Sequence, residues 1–237
     1  MKATLHLGRT AGVRVGVHWS ALLAAALVAS ALARERLPRA FPGEPVWTYW
    51  GLGSVMASLF LVSLLIHEMA HVLVARRSGV VVDGAVLWAL GGSTRFRGAA
   101  RDPDTQLRIA GAGPLTSLTA ALLSTGGAVC AAALSVPGPV GECVIWCATV
   151  NFVLAVFNGL PAAPLDGGRV LWAYLRHRGM DPVRAARAAT TGSSLLGWFM
   201  LLTGLASLLL AGTLMGVWPT FVGLFLITVA RTARQRS

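Results

Sequence analysis

Six apolar stretches dominate this sequence, and each is close to the length that a lipid bilayer requires. They cover about residues 16–33, 50–75, 107–134, 140–163, 190–211 and 214–230. A membrane-spanning helix needs roughly 20 predominantly apolar residues. Charged residues make up only 12% of the chain, about half of the ~25% that is usual in soluble domains. We therefore predict an all-α polytopic membrane protein with six transmembrane helices, forming a single domain over residues 1–237.

Lysine and arginine residues are unevenly distributed among the connecting segments. If the N-terminus is cytoplasmic, seventeen of the twenty basic residues lie on the cytoplasmic side, and only Arg34, Arg36 and Arg39 lie outside. Cytoplasmic loops of membrane proteins carry such an excess. We therefore expect a multi-pass protein of the cell membrane with both termini cytoplasmic. The formal net charge of +11 would then face anionic lipid, and nucleic acid is not an expected partner.

The segment 78–98 is too short and too interrupted by glycine to cross the membrane as a helix. Valines and other apolar residues flank Asp83-Gly84, a dipeptide that favours a hairpin turn. We predict a small β-hairpin or re-entrant segment here, at the cytoplasmic interface. Non-helical backbone at membrane depth is tolerated only where it is buried in protein or lines a wet cavity.

The second apolar stretch contains HEMAH, from His67 to His71. Residues four apart share one face of a helix, so both imidazoles can bind one metal ion, with Glu68 beside them as a general base. Ionisable residues at membrane depth are rare and usually functional. His71 precedes Arg76 by five residues, about 7.5 Å along a helix, which indicates a site below the cytoplasmic interface. Alternatively, the helix ends near the interface and these side chains are merely solvated.

A catalytic metal site needs a third protein ligand and an open position. The candidates considered on the cytoplasmic side are Asp83, Asp102 and Asp104, in the loop after the motif, and Asp166. Asp166 ends the fourth apolar stretch in NGLPAAPLDGGR, where Pro161 and Pro164 break the helix and two glycines permit close backbone approach. A helix that is broken just before Asp166, at the membrane depth of the histidines, could present this acid as a metal ligand. A plain loop at the end of a span is the other interpretation.

These residues resemble the site-2 protease family of intramembrane zinc metalloproteases. The family pairs H-E-x-x-H on one span with an N-x-x-P-x-x-P-L-D-G-G type motif on a later one, which runs here from Asn158 to Gly168. GVHWS and AGAGPLTSL, at the start of the first and third spans, also fit. The resemblance is to the compact six-span branch. Within the 237 residues we expect neither an inserted PDZ domain nor the C-terminal CBS domains of many relatives, and the regulation of the chain stays open.

The resemblance implies a zinc metalloendopeptidase that hydrolyses a peptide bond within or next to a transmembrane helix of a membrane-tethered substrate. It implies one Zn²⁺ per chain, held by His67, His71 and Asp166, with Glu68 as the catalytic residue. Asn158 would bind the substrate backbone or support the transition state, and an interhelical hydrogen bond is its alternative role. The expected partners are a transmembrane protein substrate and the lipid bilayer, while the oligomeric state stays open.

The alternative function is that of a non-proteolytic membrane zinc protein, such as a metal transporter or an inactive family member. A transporter would need ionisable groups along its whole path, and the outer halves of the spans offer almost none. An inactive member would be expected to lack Glu68 or a ligand. Two further polar residues, Asn151 and His18, are expected to make structural hydrogen bonds, and the three cysteines are expected to pack as small apolar residues.

Overall fold

The computed structural model of the chain describes residues 3–10, 12–89, 91–97, 102–136, 138–210 and 216–235. The chain divides into two compact units, Met1–Ala99 with Ala112–Ala155, and Ala100–Gly111 with Val156–Ser237. The elements, in chain order, are β1 Leu5–Thr10, β2 Val13–Val17, α1 Trp19–Ala31, a π-helical turn Leu32–Arg36, α2 Leu37–Ala40, α3 Val46–Arg77, β3 Val81–Trp88, β4 Gly91–Arg97, α4 Pro103–Ala133, α5 Gly138–Gly159, α6 Asp166–His177, α7 Pro182–Leu209 and α8 Val217–Gln235.

Four helices in the described part of the chain, α3, α4, α5 and α7, are long and apolar enough to cross a membrane. They correspond to the stretches predicted at 50–75, 107–134, 140–163 and 190–211. Helix α8 contains a shorter apolar stretch, and the predicted break before it lies on residues 211–215, outside the described residues. A mostly helical protein with four candidate membrane helices is thus confirmed, whereas six spans are not.

The first predicted span, 16–33, is not one uninterrupted α-helix. Strand β2 continues to Val17, and α1 then covers only 13 residues before the π-helical turn. The strand ends where His18 caps the helix, since the His18 side chain accepts a hydrogen bond from the backbone N–H of Ser20 (3.3 Å). The β-branched residues of VRVGV favour a strand, and that preference is realised because a partner strand is available.

A four-stranded mixed sheet extends the small hairpin that the sequence predicts. Its order is β1-β2-β3-β4, with β2 and β3 parallel and the outer pairs antiparallel. The hairpin itself is confirmed, but Asp83-Gly84 is not its turn. That dipeptide lies inside β3, next to an irregularity in the β3–β4 register, and the chain reverses between Trp88 and Gly91. Gly91 has a φ of +138°, a conformation that is open to glycine and rarely to other residues.

The sheet packs against the same face of α3 that carries Glu68. Leu64, one helical turn before Glu68, is buried with Leu87 of β3 and Val17 of β2. Val72, one turn after it, is buried with Ala85 of β3 and with Val13. Because residues four apart share a helix face, these two apolar contacts place Glu68 opposite the sheet.

Helix α5 is joined to α3 by two polar contacts within the same unit. The Trp146 indole N–H donates to the Met56 carbonyl (2.7 Å), and the Asn151 amide donates to the Ser63 hydroxyl (2.9 Å). Asn151 is therefore a structural amide, as the sequence predicts. Buried side-chain hydrogen bonds of this kind fix the register between two apolar helices that dispersion forces alone would leave free to slide.

In the second unit, close backbone contacts surround the broken segment before α6. A Cβ atom on either Gly167 or Gly168 would overlap the backbone between Gly159 and Ala163. The Ser193 hydroxyl of α7 donates to the Ala163 carbonyl (2.5 Å). The predicted role of the two glycines in close backbone approach is thus confirmed, and the segment is held by specific contacts.

Candidate metal centre

The buried HEMAH turn of α3 brings three potential ligand groups together. His67, Glu68 and His71 are 2%, 7% and 3% exposed. The Nε2 atoms of the two histidines face each other at 3.3 Å. One ligand atom from each of the three side chains lies within 4.8 Å of the others. The prediction that a single helical turn gathers these groups on one side is confirmed.

A hydroxyl group from a different element contacts each of two members of this cluster. The Nδ1 atom of His67 lies 2.9 Å from the hydroxyl oxygen of Ser117 on α4. The Thr94 hydroxyl on β4 donates to the Oε2 atom of Glu68 (3.0 Å). These contacts are made by Nδ1 of His67 and Oε2 of Glu68, while Nε2 of His67 faces His71 within the cluster.

Two glycines provide the space in which the cluster lies. A Cβ atom on Gly113 of α4 would overlap the Nε2 atoms of both His67 and His71. A Cβ atom on Gly92 of β4 would overlap the Glu68 carboxylate. The backbones of α4 and β4 therefore approach the ligand atoms more closely than any other residue type would permit at these positions.

The donor set fits a metal ion of the zinc class. Two imidazole nitrogens beside a carboxylate are the nitrogen and oxygen donors that such ions take in proteins. The two Nε2 atoms lie 3.3 Å apart, a separation that suits two nitrogen ligands of one tetrahedral zinc ion at about 2.0–2.1 Å each. In the described residues, this cluster is the one group of three or more such side chains that could hold a metal ion.

The remaining predicted site residues lie in the second unit. Asp166 is buried and is the first residue of α6, while Asn158 lies half-buried in the last turn of α5. The role of Asp166 as the third ligand and the role of Asn158 stay predictions.

The other acids considered as ligands have local structural explanations. Asp102 caps α4, because it accepts the backbone N–H of Thr105 at 2.7 Å, and this bond is the largest of the effects that lower the pKa of Asp102. Asp104 pairs with His177 (2.9 Å) at an exposed position. Asp83 is exposed on β3.

The sequence reasoning missed Ser117, Thr94, Gly113 and Gly92. Ser117 and Gly113 lie in AGAGPLTSL, a stretch that carries the family resemblance but whose chemistry the sequence alone does not explain. Thr94 and Gly92 lie in GGST, within the segment expected to form the hairpin. The sequence did offer one signal: Gly113 stands next to a proline, and Gly92 lies two residues before Thr94. The residues that these glycines contact are distant in sequence, so the signal could not be interpreted without the fold.

Comparisons with known proteins identify relatives of this chain. The sequence model of peptidase family M50 matches residues 55–136 and 128–203. Rip3 of Mycobacterium tuberculosis H37Rv, named as a zinc metalloprotease, is 43% identical over the whole chain. A protein of Synechocystis sp., sll0528, with the same kind of name, is 28% identical over the whole chain. The chain spans 60% and 61% of the length of these two curated relatives.

A solved structure shares the fold. The site-2 protease from Methanocaldococcus jannaschii superposes with a TM-score of 0.64 at 23% sequence identity, covering 97% of this chain and 94% of that one. At this level of sequence identity, the similarity shows a shared backbone fold alone.

Proposed function

Because this chain belongs to peptidase family M50, we propose that it is an intramembrane zinc metalloprotease. Its substrate would be a membrane-tethered protein, cut within or next to a transmembrane helix. The observation that carries this proposal is the buried His67–Glu68–His71 cluster inside α3, a helix of 32 residues that is apolar enough to cross a membrane. Ionisable groups are costly at such a depth and mark functional sites.

Zinc is the metal that we assign to this cluster. His67 and His71 would hold it through their Nε2 atoms, with Asp166 as the third ligand and one position left open, as catalytic zinc requires. When bound, zinc supplies Lewis acidity and lowers the pKa of a water molecule toward ~7. The names of the two relatives, which describe zinc metalloproteases, support the same assignment.

Glu68 would move the proton in the reaction. Its carboxylate lies beside both histidines, so it can accept a proton from the attacking water and pass it to the amine that leaves. The Thr94 hydroxyl holds Oε2 at 3.0 Å, which leaves Oε1 for that transfer. Gly92 lets the strand carrying Thr94 pass close to the carboxylate.

The assignment of Asp166 rests on its position at the start of α6. The residue is buried, follows two prolines that end the preceding helix, and lies on a segment fixed by the close contacts of Gly167 and Gly168. A fixed backbone holds a carboxylate in one orientation, which metal binding needs. We expect an Asp166→Ala variant to lose bound zinc, measured by metal analysis of the purified protein. Asp104→Ala is the matched control, and equal zinc content in the two variants would contradict the assignment.

For Asn158 we propose a hydrogen bond to the substrate backbone or to the tetrahedral transition state. An Asn158→Ala variant that keeps its zinc but cleaves more slowly would support this role. Loss of stability with unchanged cleavage would instead indicate the interhelical hydrogen bond.

For the topology we propose six spans with both termini in the cytoplasm. The helical run from Trp19 to Ala40, through the π-helical turn, and α8 would supply the two spans beyond the four candidate helices. The excess of basic residues in the loops on one side supports this orientation, which places the cluster toward the cytoplasm. The test introduces single cysteines at residues 9 and 39 into a variant that lacks the native cysteines. An impermeant reagent added to intact cells should label the cysteine at residue 39 and leave the one at residue 9 unlabelled.

For substrate capture we propose strand addition to β4. Within the described residues, β4 pairs only with β3 and forms an edge of the sheet, and it lies directly against Glu68 through Gly92. An unwound substrate segment could pair with that edge by main-chain hydrogen bonds. A proline placed in β4 where the N–H points away from β3 should reduce cleavage. Unchanged cleavage would rule out strand addition to β4 as part of substrate binding.

The deciding experiment compares the wild-type chain with Glu68→Gln. Each would be co-expressed with candidate single-span membrane proteins, and cleaved fragments would be followed by immunoblotting. The control is Glu44→Gln, an exposed glutamate before α3. The proposal expects cleavage by the wild type and the control and none by Glu68→Gln. A protein that binds zinc but cuts none of the substrates in any form would favour a non-proteolytic membrane zinc protein.

A further inference from the structure

We propose that Ser117 is a positioning residue for the metal centre, which acts by fixing the tautomer and the ring orientation of His67. This inference rests on the proposed function, because it assigns a metal to the Nε2 atoms of the two histidines. It concerns the side of His67 that faces away from the metal.

The contact between Ser117 and His67 is buried and direct. Ser117 is 1% exposed and His67 is 2% exposed, and the hydroxyl oxygen lies 2.9 Å from Nδ1. A neutral imidazole carries its proton on one nitrogen and a lone pair on the other. Which nitrogen carries the proton is set by the partner of the other one.

The geometry at Nε2 decides between the two tautomers. The Nε2 atom of His67 faces the Nε2 atom of His71 at 3.3 Å, a separation that lets one metal ion bind both nitrogens. A metal held by both atoms requires a lone pair on Nε2 of His67, so the proton must lie on Nδ1. Nδ1–H then donates to the Ser117 oxygen. If Ser117 donated to Nδ1 instead, Nε2 would carry the proton and could not bind metal.

Helix α4 supplies both elements of this support from one face. Gly113 and Ser117 are four residues apart and therefore project on the same side of the helix. Gly113 permits the close approach of the α4 backbone, and that approach brings the Ser117 hydroxyl within reach of Nδ1. An ordinary residue at 113 would push the helix away and break the hydrogen bond. Gly113 and Ser117 therefore act together to hold the His67 ring in one orientation.

The expected size of the effect comes from metal sites in general. Removal of a hydrogen-bond partner behind a ligating histidine typically costs 10- to 100-fold in metal affinity or activity. We therefore expect Ser117→Ala to weaken zinc binding by roughly 10- to 100-fold. The effect belongs to the metal affinity, so it needs no knowledge of the substrate.

The experiment measures zinc affinity of the full chain purified in detergent. Bound metal is removed with a chelator, and zinc is returned in competition with a chelator of known affinity. Four proteins are compared: wild type, Ser117→Ala, Ser117→Thr and Ser124→Ala. Ser124 lies seven residues further along α4 and gives the same chemical change away from His67. Thermal melting of the metal-free proteins shows whether each variant is folded.

The proposal expects weakened zinc affinity in Ser117→Ala, wild-type affinity in Ser124→Ala, and recovery in Ser117→Thr, which keeps the hydroxyl. If Ser117→Thr melts early because its extra methyl group does not fit, Ser117→Cys serves as the second variant, with partial recovery expected. Equal zinc affinity in wild type and Ser117→Ala would overturn the proposal. So would a loss of affinity that only follows a loss of metal-free stability.

A His67→Ala variant separates this proposal from the proposed function. If His67→Ala loses zinc and Ser117→Ala does not, the positioning role fails while the metal centre stands. If His67→Ala keeps wild-type zinc affinity, both this proposal and the assignment of the metal to the cluster fail.

Discussion

The Glu68 carboxylate receives its hydrogen bond from Thr94, a side chain of the sheet rather than of its own helix. A hydrogen bond to a charged group contributes about 1.5–3 kcal/mol, and a loss of about 1.36 kcal/mol from transition-state stabilisation is tenfold in rate. We expect Thr94→Val, which keeps the shape, to lower the turnover of a cleaved reporter by tenfold or more with zinc content unchanged. Thr94→Ser should retain most of the turnover. A Thr94→Val enzyme as fast as wild type would show that Glu68 needs no such support.

Gly113 gives the sharpest steric prediction at the scale of one residue. An added methyl group there would overlap the Nε2 atoms of both His67 and His71, so Gly113→Ala should lose zinc even though alanine favours helix formation. Gly126, on the same helix, has open space where a methyl group would lie, with nothing within 4 Å, and Gly126→Ala should keep its zinc. Metal analysis of the two purified variants tests the difference, and zinc in Gly113→Ala at the wild-type level would refute it.

At the scale of elements, α7 and α8 form a pair whose contact depends on glycine. A Cβ atom on Gly204 of α7 would overlap Thr220 and the Gly216 backbone, and one on Gly197 would crowd Ile227 and Gly223. Overpacking of a tight contact costs about 1–3 kcal/mol. We expect Gly204→Ala to lower the midpoint of thermal unfolding in detergent. Gly141→Ala in α5, where nothing lies within 4 Å, is the control, and equal midpoints would contradict the prediction.

The elements also show what the sequence could and could not predict. Helix α3 was predictable because a long apolar run ends at Arg76 and Arg77, and HEMAH is a local pattern whose geometry one helical turn determines. Strands β1 and β2 were missed because they are short; β1 pairs with β2, and β2 is stabilised by pairing with β3, about 70 residues away in sequence. The hairpin turn was predicted at Asp83-Gly84, but the chain reverses between Trp88 and Gly91. Turn propensity is a local property, whereas the register of the strands follows from which residues the sheet buries against α3.

The same distinction separates the parts of the candidate site. His67, Glu68 and His71 were identified because their spacing carries the chemistry. Ser117 and Thr94 were not, because a serine or threonine has no distinctive pattern until the fold brings it beside a ligand. These two hydroxyls lie 50 and 26 residues from their partners.

At the scale of the whole molecule, the cluster links metal binding to the stability of the first unit. His67, Glu68 and His71 come from α3, and residues of α4 and β4 enclose them, so a metal bound there would stabilise the folded state against states in which these elements separate. A ligand present at about 1,000 times its dissociation constant stabilises the state that binds it by about 4.1 kcal/mol. For a chain of this size, each kcal/mol changes the midpoint of unfolding by about 2–4 °C.

We therefore expect chelation of zinc to lower the unfolding midpoint of the wild-type chain by about 10 °C, and readdition of zinc to restore it. A His67→Ala/His71→Ala double variant should melt at the same temperature with and without chelator, because it has lost the nitrogen donors. The measurement is the thermal melt of each protein in detergent, at fixed protein concentration, with and without excess zinc. If the double variant responded to zinc as the wild type does, the stabilising metal would be bound elsewhere than between α3, α4 and β4.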